Sequence, residues 1–398
     1  MRRLLAVLVF LLSFAVSSSA QSNDSIQVSR VIPSAIFGKD REITVSLPWG
    51  YYRNSSAKYP VAYVFDAQGD DMFNFAASLI HNLESTQSLE PMIVVGIKSE
   101  NRQFEFTPRN KTDAPYKMWG KDARIGGADT LLASLRSEVF PYIEKNFRTL
   151  PVRLGLGHSL GGTFVTYALT RDDRTFDAII AVSPNYDYDN QQLVERVKAY
   201  SGDKSSPAPF VYLAHGNTDR YETLFAVGIK KVVATLQARK PSDVQLVYEP
   251  LKVNKHGNTF MTGYVSGLQA YHNSIYSKAE TTIGYFGNLS AKYGYTLNAD
   301  QINQIAYNYF MTPDMYPQAI KIFDWGIKLH PDVANLYDSK SEAEENMGET
   351  RAAIASDLKA LSTLEAQKGR LNQKDYDDAK KYFSERVEKL RLNPSMKH

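Results

Sequence analysis

Apolar residues fall along this chain in short runs separated by polar turns, and the runs alternate between two spacings. Ile43, Val45 and Leu47 alternate with polar neighbours, as in a strand with one buried face. Tyr59 to Phe65 and Pro91 to Ile97 are nearly pure apolar runs, the pattern of strands covered on both faces of a parallel sheet. Val152 to Leu156, Phe176 to Pro184, Phe210 to Ala214 and Val244 to Tyr248 repeat it. Helical spacing fills the intervals: Phe73 to Leu83, Leu131 to Phe147, Gly162 to Leu169, Leu224 to Arg239 and Phe260 to Ile275. With opening strands over Ile26 to Ile36 and Glu42 to Leu47, the alternation predicts an α/β fold with a mostly parallel, doubly wound sheet.

Two stretches depart from this rhythm. Glu100 to Ile125 is long, polar and rich in aromatics, including Phe104, Phe106, Tyr116 and Trp119. A loop of that length in a compact domain is functional or disordered, and the aromatics favour an ordered rim over an active site. From Thr281 onward no strand pattern recurs. Ala319 and Ala353 lie 34 residues apart, as do Gly326 and Ala360, while Phe323 and Pro331 take the places of a second-helix aromatic and a closing proline. This resembles two tetratricopeptide-type repeats, the second degenerate beyond Asp357. The expected division is an α/β domain over 21–278 and an all-α, tetratricopeptide-like domain over 279–398.

The first twenty residues form a separate class. Met1-Arg2-Arg3 precedes an apolar run from Leu4 to Val16, and Ser18 and Ala20 are placed for cleavage before Gln21. The pattern is that of a signal peptide, too short for the roughly 20 residues of a full span. No later segment could span a membrane, so the expectation is an exported protein, periplasmic or secreted, with no membrane span after cleavage.

Composition removes several alternatives. With 46 basic and 43 acidic residues the net charge is +3, too balanced to argue for nucleic acid. There are no cysteines, which excludes disulfides, cysteine metal sites and a thiol nucleophile. No His-Glu-x-x-His run is present, Asp70-Asp71 reads as a solvated turn, and no metal or cofactor is expected.

The chemistry concentrates in Gly157-His158-Ser159-Leu160-Gly161, a G-x-S-x-G match between a predicted strand and a predicted helix. That context is a nucleophile elbow, a tight turn that exposes a serine hydroxyl and needs glycines where a Cβ would clash. A serine hydroxyl needs a base and a group to orient that base. On this fold they follow in the order acid, then histidine, each past a strand's carboxyl end. His256 alone of seven histidines lies just past a final strand and before a closing helix. Asp219, past the strand Phe210 to Ala214, is the expected acid; Glu222 is the alternative, and either could instead cap the next helix. The oxyanion hole is expected from the N–H of Leu160 and one near Ala67 or Gln68. His158 should point away from the serine; it is kept as a candidate substrate-binding residue.

These blocks together resemble the putative-esterase family of α/β hydrolases: Tyr59-Pro60-Val61, Pro91 to Ile97, Phe104-x-Phe106-Thr107-Pro108, Gly126-Gly127-Ala128, Gly157 to Gly162, and Ala181-Val182-Ser183-Pro184. The likeness covers about Ser25 to Ile275, and is greatest to siderophore esterases that cleave ferric enterobactin and salmochelin. It implies an α/β-hydrolase fold, an ester hydrolase with Ser159 as nucleophile and His256 as base, and Arg102 as an arginine at the active-site mouth. The expected substrate is a small-molecule or glycan ester: a siderophore ester, or an aromatic or acetyl ester of a polysaccharide. An acyltransferase, or a non-catalytic binding protein working through its helical repeats, is the competing reading. The helical domain could bind a protein partner.

Overall fold

The computed structural model describes residues 27–171, 174–202, 207–252, 254–369 and 371–392. The stretch expected to be a signal peptide, 1–20, lies outside them.

The chain opens with an antiparallel pair, β1 (Gln27–Ile32) and β2 (Arg41–Ser46), then β3 (Tyr59–Phe65), α1 (Asp70–Ser85) and β4 (Ile93–Ile97). The aromatic rim follows as two short helices, α2 (Arg102–Glu105) and α3 (Ala114–Trp119). Next come α4 (Ala128–Ser134), one wider π turn over Leu135–Val139, and α5 (Phe140–Asn146). The core unit continues as β5 (Thr149–His158), α6 (Leu160–Leu169), β6 (Ala178–Val182), α7 (Tyr188–Ala199) and β7 (Phe210–His215). It closes with α8 (Arg220–Gln237), β8 (Gln245–Pro250) and α9 (Thr259–Tyr276). Then α10 (Ala279–Tyr293), α11 (Ala299–Tyr309), α12 (Tyr316–Leu329), α13 (Ala334–Asn346), α14 (Thr350–Ala366) and α15 (Gln373–Arg391) follow with no strand among the described residues.

The eight strands form one sheet in the order β1-β2-β4-β3-β5-β6-β7-β8. From β4 to β8 every pairing is parallel; β2 alone runs the other way, antiparallel to both β1 and β4. The pure apolar runs are the central strands: every residue of β3, β4, β6 and β7 is buried, because helices cover both faces. Parallel strands send all their carboxyl ends to one edge, so Asp66, Ser159, Ser183 and Gly216 gather there although widely spaced in sequence.

The rim is held by α7, an element that carries no signal in the apolar spacing. Asp189, Asn190 and Gln191 adopt left-handed φ values of 50°, 55° and 63°. That turn aims the buried Asp189 carboxylate at the N–H groups of Lys111 (2.5 Å) and Thr112 (3.1 Å). Trp119 stacks on Tyr188 with ring centroids 5.6 Å apart. An acid that accepts several backbone donors fixes a loop otherwise poor in backbone hydrogen bonds.

One face of the sheet is covered by α4 to α8. The other lies under α1 and α9, and its core runs without a break from Ala62, Tyr264 and Leu268 into Phe286, Ile302 and Phe323 of the later helices. Beyond α10 each helix packs mainly on its successor. A half-buried arginine, Arg386 of α15, pairs with Asp338 of α13 at 3.1 Å and Asp357 of α14 at 3.3 Å, tying three helices together.

Where the two parts meet, Glu90 is buried beneath the hydroxyls of Tyr276 (3.2 Å) and Tyr271 (3.5 Å). Burial pushes its carboxyl from 4.5 up to about 7, against the two hydroxyls, which lower it. A carboxyl raised in the folded state favours folding below its unfolded value, and that contribution is lost as pH climbs through the folded one. Glu90→Gln should therefore flatten the pH dependence of stability. Between pH 4.5 and about 8 the native protein should lose about 3 kcal/mol more than the variant, read by urea unfolding at each pH.

Candidate active site

Ser159 sits between β5 and α6 with φ 56° and ψ −119°, a left-handed conformation uncommon for a residue bearing a Cβ. Its N–H is held by the Val182 carbonyl at 2.9 Å, and its carbonyl receives Thr163 N–H at 3.0 Å. The glycines around it are steric requirements: a Cβ on Gly157 would lie 2.2 Å from the Gly161 oxygen, and one on Gly162 would press on Gly157 and Pro184. The turn is a nucleophile elbow, as the spacing of Gly157 and Gly161 predicts.

His256 enters from the loop after β8, and its Nε2 lies 3.0 Å from Ser159 Oγ. Its Nδ1 lies 2.6 Å from Oε1 of Glu222, a fully buried side chain in the first turn of α8. Nδ1 carries the proton in this arrangement, since an ionised carboxylate can only accept. The other oxygen, Oε2, accepts Gly216 N–H at 2.6 Å and the Ser183 hydroxyl at 3.0 Å.

Asp219 does not touch the imidazole. It is the N-cap of α8: Oδ1 accepts the N–H groups of Tyr221 (2.9 Å) and Glu222 (3.0 Å), and Oδ2 accepts the His256 N–H at 2.7 Å. Desolvation pushes this carboxyl up, but those three donors and the adjacent imidazole together hold it below the usual carboxylate range. The capping alternative therefore describes Asp219, and Glu222 occupies the place at the base. The sequence signal is Asp-x-x-Glu at a helix start: the cap's carboxylate is turned to the backbone, leaving the acid at the third helical position free to face inward.

The remaining expected site residues divide. Ala67 N–H is spent on the Ile97 carbonyl at 3.2 Å, extending the β3–β4 ladder past its end, so Ala67 cannot offer a donor to a substrate. The N–H groups of Leu160 and Gln68 have no acceptor among the described residues. Leu160 also opens α6, where the helix dipole favours negative charge. His158 is buried and turned from the cleft, with Nε2 2.9 Å from the His256 carbonyl oxygen and 3.1 Å from Thr259 Oγ1. Burial first, and the neighbouring His256 second, hold its pKa down at about 3. With Nε2 given to these partners, His158 does not line the cleft, so the expected substrate contact is not made there. Arg102 is at the mouth as expected, pinned by two 2.9 Å hydrogen bonds from Nε and Nη2 to the carboxylate of Asp66.

A cleft of about 580 Å³ opens over Ser159 and His256. Its lining is partly polar, with Asn101, Arg102, Gln103 and Asn185, and partly apolar, with Met118 and Trp119 of the rim and Tyr221, Leu224 and Phe225 of α8. A second cavity, about 500 Å³, lies at the opposite edge of the sheet against α10, and no histidine lines it. Another Ser–His–Glu line exists, Ser46–His81–Glu84, but Ser46 is 1 % exposed and the His81 Nδ1–Glu84 distance is a long 3.4 Å. Neither cavity reaches it. No group of three metal-ligating side chains occurs among the described residues.

Comparison with known proteins agrees with this architecture. Residues 34–205 match the family model described as Putative esterase. An uncharacterized protein, YbbA, of Bacillus subtilis is 28 % identical over 155 residues, 38 % of this chain and 59 % of the relative. The siderophore enterobactin esterase of Emericella nidulans is 28 % identical over 204 residues, 45 % of this chain and 66 % of the relative. The chain thus spans slightly under two thirds of the length of these curated relatives. The crystal structure of an IroE-like serine hydrolase from Shewanella oneidensis superimposes with a TM-score of 0.57 at 22 % identity, covering 80 % of this chain and 98 % of that one, a likeness of fold. The fold is therefore an α/β-hydrolase fold with a mixed, mainly parallel sheet and a C-terminal all-α region. Within that fold, the match of residues 34–205 to the esterase family model is consistent with serine-hydrolase activity.

The two carboxylates should separate in mutagenesis. Glu222→Gln should lower ester turnover about 10²–10⁴-fold with little loss of stability. Asp219→Ala should cost about 1 kcal/mol in urea unfolding and reduce kcat less than Glu222→Gln does. Steady-state kinetics of the pair, with the reverse ranking, would return the acid's role to Asp219.

Proposed function

We propose that the protein is a serine carboxylic ester hydrolase acting through an acyl-enzyme, with Ser159 as nucleophile, His256 as base and Glu222 as the orienting acid. The observation that carries this reading is the aligned Ser159–His256–Glu222 line at 3.0 Å and 2.6 Å on a strained elbow. Ser159 Oγ attacks the ester carbonyl as its proton passes to His256 Nε2, and the carbonyl oxygen becomes an oxyanion facing the N–H groups of Leu160 and Gln68. The C–O bond to the alcohol then breaks, and His256 returns the proton to the leaving oxygen. Water, deprotonated by His256, attacks the acyl-serine; the acyl–Oγ bond breaks, His256 returns that proton to Ser159 Oγ, and the acid is released. Glu222 stays ionised throughout and stabilises the imidazolium.

Substrate choice rests on the cleft. An apolar, aromatic lining that also holds a guanidinium pinned by Asp66 suits an aromatic acyl group carrying polar or anionic substituents. Siderophore esters are the first class to test, in keeping with the enterobactin esterase for which the Emericella relative is named; aromatic and acetyl esters of polysaccharides come next. We further read 1–20 as an export signal, giving a periplasmic or secreted enzyme. No helix among the described residues is long and apolar enough to cross a membrane. The boundary between the two domains falls at 278/279, between α9 and α10. The repeat reading of the C-terminal helices is supported by α12 and α14, which start 34 residues apart and bury Ala319 and Ala353 at equivalent places. That region could present a surface to a protein partner.

The test is hydrolysis of p-nitrophenyl acetate, methyl ferulate, and iron-free and ferric enterobactin by the native chain beside Ser159→Ala. Turnover should fall at least about 10³-fold in the variant, with the catechol esters preferred. A folded chain that hydrolyses none of them removes this reading. Product formed only when an added alcohol is the acceptor would make the enzyme an acyltransferase.

A further inference from the structure

Behind the base lies a set of buried polar side chains that the hydrolytic steps do not use. Thr259 Oγ1, at the start of α9, is 3.0 Å from the His256 carbonyl oxygen, 3.1 Å from His158 Nε2 and 2.9 Å from Ser183 Oγ. Ser183 Oγ is 3.0 Å from Glu222 Oε2. Thr259 and Ser183 are fully buried, and neither lines the cleft.

The hydrogens in this set can be assigned from chemistry. The His256 carbonyl and the Glu222 carboxylate only accept, so His158 must carry its proton on Nε2 and the Ser183 hydrogen must go to Glu222. The single Thr259 hydrogen then goes to Ser183 Oγ or to the His256 carbonyl. Every donor finds an acceptor, and with the Thr259 hydrogen on Ser183 the donors run from His158 toward the carboxylate. His158 is neutral, so the set adds no charge behind the imidazole.

We infer that His158, Thr259 and Ser183 form a positioning unit that locks the catalytic base and its acid to the strand presenting the nucleophile. The inference rests on the serine-hydrolase reading of Ser159, His256 and Glu222. His158 immediately precedes Ser159 in β5, so its hold on the His256 carbonyl fixes the base loop relative to the serine. Asp219 holds the same residue by its N–H. Ser183 and Gly216 fill Oε2 of Glu222, which leaves Oε1 to face Nδ1. The elbow residue His158 is thus a positioning residue.

The test is Thr259→Val, which keeps the methyl group and removes the hydroxyl, beside Thr259→Ser, which keeps the hydroxyl. The readouts are kcat and KM on a chromogenic ester, the rate at which a fluorophosphonate labels Ser159, and the Tm. In Thr259→Val, kcat and the labelling rate should each fall about 10–100-fold while KM stays within about twofold. Thr259→Ser should recover to within about threefold of native. Native rates in Thr259→Val, a rise in KM at constant kcat, or no recovery in Thr259→Ser would overturn the inference. Should Thr259→Val fail to fold, Ser183→Ala decides it by the same fall in kcat at constant KM. A native chain whose Ser159 is not labelled at all fails at the serine-hydrolase reading itself; labelled native protein with an equally reactive Thr259→Val fails only here.

Discussion

The constraint on which the active site depends is the backbone of one residue. Ser159 is held at φ 56° between β5 and α6, a conformation that costs about 1–3 kcal/mol for a residue with a side chain. The strain persists because both sides of the turn are fixed. The Ser159 N–H is bonded to β6, Gly157 lies against the Gly161 carbonyl without room for a Cβ, and α6 is buried along its whole length. The outcome is a hydroxyl placed above the sheet's carboxyl edge, where loops from β7 and β8 can reach it.

Around that point the structure separates two tasks that one carboxylate could not perform together. Asp219 satisfies backbone donors: two in the first turn of α8 and one on His256 itself. Glu222, one helical turn on, has its own N–H satisfied by that cap and is free to turn its carboxylate inward to Nδ1. A buried carboxylate is tolerable only when its oxygens are filled, and here they take His256, Gly216 and Ser183. Cap and acid are therefore coupled through the first turn of one helix.

The all-α region is attached by the same physics that closes any core. The sheet face under α1 and α9 is too apolar to meet water, and the core continues through Tyr276 and Phe286 into the following helices. The polar exception is Glu90, buried among tyrosines at that junction, which makes the attachment sensitive to pH. The junction lies at the edge of the sheet opposite Ser159, so the helices pack on the hydrolase core without contributing to the walls of the catalytic cleft.

Much of the fold was legible in residue spacing. Pure apolar runs became the central strands, helical spacing became the covering helices, and the loss of strand signal after α9 marked the all-α region, because burial on a face imposes a period. The elbow and the base were legible too, since glycine is required where a Cβ cannot fit and a histidine past the last strand can reach only one edge. The α7 turn was not, because three left-handed residues there are stabilised by Asp189 reaching a rim nearly 80 positions away in sequence. Nor was the choice between Asp219 and Glu222, the loss of Ala67 N–H to the sheet, or the turning of His158 from the cleft. Each depends on which partner a polar group meets after the strands have aligned. The sequence by itself determined the strand–elbow–helix frame and the residue types at its edge; the tertiary structure decided which of them share hydrogen bonds, because those partners come from separate strands and helices that only the assembled sheet brings within 3 Å.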